Sequence, residues 1–222
     1  EVTNKGGHSS VPVRDNAIYH LAGALARLAS FDFPVKLNDA VRGNFERMAV
    51  IEGGASGAAM AAVVKDPANA AAVAEVARDP ARNSMMRTTC VATLLRGGHA
   101  DNALPQRASA NINCRMLPDE VPDSVRATIQ RVVGSLATVA ADGPITPSPA
   151  SPLRADVIAA VTRAVHARFP GLAIVPAQSS GATDSMYFRA AGVPSYGVSG
   201  LFMKDSDEFS HGLNERAPVS AI

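Results

Sequence analysis

The 222 residues carry a formal charge of +1 and 47% hydrophobic side chains, enough to bury one sizeable core or two modest ones. With no basic stripe interleaved with aromatics and no apolar run near the roughly 18 residues of a membrane helix, neither nucleic acid nor a membrane is an expected partner. The chain starts at Glu1 without an initiator methionine or signal-like segment, so a processed or excised piece is expected, its compartment unknown.

In chain order, Glu1 to Gly7 reads as a strand. Asn16 to Ser30 reads as a helix capped by Asp15 or Asn16, with Ile18, Leu21, Ala22, Leu25 and Leu28 on one face. Pro34 to Met86 is alanine-rich and too long for a simple loop; it reads as a helical insertion that packs against or covers the rest. Two alternating runs follow, Thr88 to Arg96 and Arg107 to Met116. Next come a helix over about Pro122 to Val133, with Val125, Ile129, Val132 and Val133 inward, and a short strand at about Leu136 to Ala141. The order β-α-β-β-α-β predicts an α+β ferredoxin-like unit over residues 1–145, with the insertion at about 34–86.

The central hairpin can be put in register. A loop centred near Asn102 pairs Cys90 with Cys114, Ala92 with Ile112 and Leu94 with Ala110, which would place one apolar face under the helices. The other face then carries Arg107, Ser109, Asn111, Asn113 and Arg115, a polar row available to substrate. The two cysteines are expected to be small buried residues rather than a cross-strand disulfide.

Proline and serine dominate Thr146 to Pro152, which suits a linker to a second unit at 146–222. A helix from Ser151-Pro152 would turn Leu153, Val157, Ile158, Val161 and Val165 inward and end at Pro170-Gly171. Leu172 to Ala177 fits a buried strand, and Gly181 and Thr183-Asp184 then open a helix from Ser185 to Ala191. A helix start approached through glycine attracts carboxylates. After a further strand comes His211, a candidate metal ligand or general base. Strand, glycine loop, helix and strand is the order in which an open α/β sheet builds a site at its strand ends. This unit is too small for a complete α/β domain and reads as the last part of a larger one.

Five motifs together resemble one family. Gly6 to Pro12 (GGHSSVP), Asp101 to Pro105 (DNALP), Asn113 to Pro118 (NCRMLP), Ser180 to Ser185 (SGATDS) and His211 to Glu215 (HGLNE) follow the order found in the dinuclear zinc hydrolases. That family includes aminoacylase, glutamate carboxypeptidase, succinyl-diaminopimelate desuccinylase and vacuolar carboxypeptidase S. GATDS with HGLNE is most similar to the carboxypeptidase S and N-acyl-amino-acid hydrolase branch.

The resemblance implies a role for each matching residue. His211 resembles the last metal ligand of a two-zinc site. His8 matches the lid histidine that reaches the partner's active site in a homodimer and polarises the scissile carbonyl, and Asn102 matches the lid asparagine that assists it. Arg115 resembles the arginine that pairs with a substrate carboxylate. Gly181 matches the glycine whose backbone approaches substrate, with Thr183 and Asp184 beside it as substrate contacts or helix caps. The implied reaction is metal-assisted hydrolysis of an amide next to a free carboxylate, in a small peptide or N-acyl amino acid.

The chain departs from the family pattern at its start. Members carry a His-x-Asp pair, a bridging aspartate and a Glu-Glu pair ahead of the glycine-histidine motif. Here only seven residues precede His8, and no Glu-Glu pair occurs. His99-Ala100-Asp101 spells His-x-Asp but falls within the hairpin, and reads as accidental. The expectation is a lid plus the end of a catalytic domain, inactive alone and active as part of its parent. The alternative is a catalytically inactive dimerisation and binding module.

Overall fold

Asn16 adopts extended backbone, and its carboxamide oxygen accepts from the amides of Ile18 and Tyr19, which starts α1 (Ala17–Ala29). Asp15, the other expected cap, instead meets His20 Nε2 at 2.8 Å. In this computed structural model, which describes residues 1–198, 206 and 212–221, α1 buries Ala17, Leu21, Ala24 and Leu28. Those residues pack on an antiparallel sheet in the order β1 (Val2–Thr3), β5 (Arg107–Arg115), β3 (Thr89–Gly97). The helix α6 (Pro122–Val133) covers the same side, setting Val125, Ile129 and Val133 against Ala24, Leu28 and Phe33 above Cys90, Ile112 and Cys114. A second, short ladder joins β2 (Gly7–His8) to β4 (Ala103–Leu104). The result is a mixed α/β fold with small sheets.

Three expectations for this region are corrected. Cys90 faces Cys114 and Ala92 faces Ile112 as predicted, but a bulge between Ala92 and Leu94 puts Leu94 opposite Asn111 and Leu95 opposite Ala110. The extra residue, Thr93, shifts the rest of β3 by one position, and Leu94 ends 59% exposed instead of under the helices. Cys90 and Cys114 are joined in a disulfide: directly opposed positions bring their Cα atoms to 4.1 Å, within reach of a bridge. The strand expected at Leu136 to Ala141 does not form. Gly134–Leu136 is a 3-10 turn, and Thr138 exchanges one pair of 2.8 Å hydrogen bonds with Glu1, beside a β1 only two residues long.

The insertion is helical, as α2 (Asp39–Glu52), α3 (Gly54–Lys65), α4 (Ala70–Val76) and α5 (Pro80–Met86). Asn38, Asn69 and Asp79 cap three of these through side-chain oxygens. The insertion is more than a cover, because Val41, Phe45, Met60, Val63 and Met86 form a core of its own. Further on, α7 (Ala155–Arg168) turns Val157, Ile158, Val161 and Val165 to one side, but these are only half-buried. The expected strand Leu172 to Ala177 is irregular, with two of its carbonyls taken by side chains of α2 in place of a neighbouring strand. The helix α8 (Ser185–Ala190) follows the glycine loop.

Candidate functional site

The β2–β4 ladder puts His8 opposite Ala103, and Ser9 N donates to Asn102 O at 2.9 Å, so His8 and Asn102 become neighbours at one end of the molecule. Gly6 makes the approach possible. Its φ is +73°, and a Cβ there would stand 2.5 Å from Gln106 Cγ and 3.1 Å from Leu104 O. Both His8 and Asn102 are exposed. The imidazole is held by its own loop: Ser10 N donates to His8 Nδ1 at 3.2 Å, and Ser10 Oγ lies 2.7 Å from the same atom. With Nδ1 accepting, a neutral ring carries its proton on Nε2, a donor on an exposed residue. The sequence reading did not assign Ser10 this part, although it stands within the GGHSSVP motif.

Arg115 is exposed at the last position of β5, opposite Thr89, and its guanidinium has no hydrogen bond or ion pair among the described residues. The strand from Arg115 to Arg107 is roughly 26 Å long at about 3.3 Å per residue, and His8 and Asn102 lie beyond its Arg107 end. One small substrate cannot touch both within a protomer. Gly181, Thr183 and Asp184 form a third group. Gly181 N donates to Ser179 Oγ at 3.0 Å, and the Thr183 and Asp184 carbonyls accept from Met186 and Tyr187 at 3.0 and 3.1 Å. Asp184 is already helical and its side chain caps nothing. With only six residues in α8, little aligned dipole stands behind the loop to hold an anion.

His211 lies outside the described residues. Among the described residues, no three His, Cys, Asp or Glu side chains are grouped to hold a metal ion, so they do not fit a two-zinc centre. His99 and Asp101 are exposed in the hairpin turn. Among the described residues the displaced titrations belong to an exposed pair at the start of α7: hydrogen bonds from Arg154 hold the Asp156 carboxyl below its ordinary range, and Asp156 raises the guanidinium in return. Neither group is near the candidate residues in sequence, and each side chain is more than half exposed.

The family profile described as peptidase dimerisation domain, of the M20 group, matches residues 1–139. The chain belongs to the M20 peptidase family. N-fatty-acyl-amino acid synthase/hydrolase PM20D1 of Xenopus tropicalis is 29% identical over 222 residues, covering 97% of this chain and 43% of the relative. The Homo sapiens protein of the same name is 25% identical over 237 residues, covering 100% and 45%. Probable carboxypeptidase S-like 2 of Dictyostelium discoideum is 22% identical over 224 residues, covering 98% and 42%. The chain thus spans less than half the length of these relatives. The crystal structure of the M20 family metallo-carboxypeptidase Sso-CP2 from Sulfolobus solfataricus is similar in fold, with a TM-score of 0.52 and 16% identity, over 86% of this chain and 52% of that one.

Proposed function

We propose that this chain is the lid and part of the catalytic domain of a homodimeric amidohydrolase that cleaves an amide next to a free carboxylate, in N-acyl amino acids or short peptides. The observation that carries the reading is the β2–β4 ladder, which sets His8 opposite Ala103 and joins Ser9 N to the Asn102 carbonyl, with His8 and Asn102 both exposed and His8 Nδ1 engaged by Ser10. Such a donor would stabilise the oxyanion of a tetrahedral intermediate, and Asn102, next to Ala103 in the chain, would assist it. Arg115 would take the substrate carboxylate in a bidentate pair. Its distance from His8 supports a site shared between two subunits, His8 from one and Arg115 from the other. Residues 1–145 would form the lid, with 34–86 inserted, and 146–222 would contribute the Gly181, Thr183 and Asp184 loop. The strand order β1-β5-β3, with Thr138 beside Glu1, supports a ferredoxin-like lid.

Two zinc ions are the expected cofactor of the intact protein, with His211 as one ligand. The remaining ligands would have to come from residues other than those described. The test is hydrolysis of N-acyl amino acids by the full-length protein, compared with the same substrates carrying an amidated carboxyl group. Turnover confined to the free acids is the expected result. No turnover of either would overturn the reading in favour of a non-catalytic dimerisation module.

A further inference from the structure

Two faces of α2 are occupied. Val41 and Phe45 are fully buried in the core of the insertion, with Met48 packed beside them. The adjoining face is turned to residues 174–178. Asn44 Nδ2 donates to Pro176 O at 2.7 Å and Arg47 Nη1 donates to Ile174 O. Gly43 is so near that a Cβ there would stand 3.2 Å from Pro176 Cγ. At the start of the helix, Asn38 accepts from Val41 N at 3.0 Å and donates from Nδ2 to Gln178 Oε1. Gln178 then donates to Met85 O, in the last turn of α5, at 3.1 Å. The two ends of the insertion meet at this point, where Lys36 N donates to Met86 O at 2.9 Å.

The helix that does this is itself fixed. Arg42 donates to Val64 O at 2.7 Å across to α3, and Arg82 on α5 bonds both Ser56 and Glu52. Two of the bonds to residues 174–178 end on backbone carbonyls, so they set the path of the chain. Gly181 is three residues beyond Gln178, a reach of roughly 10 Å at full extension. A fixed Gln178 therefore leaves the glycine loop little room to wander.

We propose that the helical insertion is a clamp that positions the Ser180–Asp184 loop, with Asn44, Arg47 and Gln178 as positioning residues. The inference rests on the reading of Gly181, Thr183 and Asp184 as substrate contacts. Elastase cleavage after Ala173 or Ala177 in the 222-residue chain reports release of the segment. Asn44→Leu should raise that rate about five- to tenfold, because one hydrogen bond is lost and cleavage follows the open population, and Gln178→Leu, which loses two, should raise it at least as much. Arg47→Lys keeps a donor for the Ile174 carbonyl and should cleave like the unmutated chain. Leucine suits α2, and Gln178 lies outside any helix, so both variants should retain the helical circular dichroism of the insertion.

In the full-length protein the two leucine variants should raise KM for N-acyl amino acids several-fold with kcat little changed. Unchanged cleavage in both leucine variants overturns the clamp. Faster cleavage with unchanged KM overturns its positioning role. Absence of turnover in the unmutated full-length protein removes the proposed function instead, and the cleavage rates still decide the clamp.

Discussion

His8 is exposed, yet its ring is not free to turn. The Ser10 amide and hydroxyl both meet Nδ1, and Gly6 admits the tight backbone path that brings His8 opposite Ala103 and Ser9 onto the Asn102 carbonyl. A buried donor to Nδ1 would serve stability; here the constraint falls on a group facing solvent, where it orients Nε2 toward whatever arrives. If Nε2 stabilises the oxyanion, His8→Ala in the full-length protein should lower kcat by about 10²- to 10³-fold, at similar thermal stability. Steady-state kinetics read the outcome, and an unchanged kcat takes His8 out of the reaction. At this scale the motif GGHSSVP singled out the histidine from sequence as a candidate. The partner of Nδ1 was not, because a serine two residues away is as often a turn former as an orienting group.

At the scale of elements, what was legible followed from local signals. The helices α1 and α6, the Asn16 cap and the Pro122 start are all written within a dozen residues, although Ile18 and Ala22, expected on the inner face of α1, are exposed. The bulge at Thr93 and the irregular course of Leu172 to Ala177 depend on partners far along the chain, Asn111 for one and Asn44 and Arg47 for the other. The disulfide was misjudged for a related reason: composition weighs against a bridge, while two cysteines directly opposed across β3 and β5 favour it. Its separation of 24 residues implies about 3 kcal/mol of stabilisation on the chain-entropy account. Replacing both cysteines by alanine should therefore lower Tm by roughly 6–12 °C, and dithiothreitol should lower the Tm of the unmutated chain but not that of the variant. Equal melting of the two proteins under non-reducing conditions would show that the bond contributes nothing to folding.

For the whole molecule the question is what covers the outer edge of β3. Among the described residues it is the last strand of its sheet, and Val91, Leu94 and Leu95 are 61%, 59% and 67% exposed, with no charge or proline between Cys90 and Leu95. Such an edge is a template for a further strand. The proposed sharing of His8 and Arg115 between subunits calls for a second copy, and a two-fold axis at this edge would extend the sheet antiparallel into the partner. Residues near that axis face their own copies. Leu95→Glu would then set two carboxylates close together across the interface, while its present exposure means that folding of the monomer is little affected. Sedimentation equilibrium should show a dimer for the unmutated chain and a monomer for Leu95→Glu, with unchanged circular dichroism. A monomeric unmutated chain at high concentration, or a variant that stays dimeric, would place the dimer contact elsewhere than on β3.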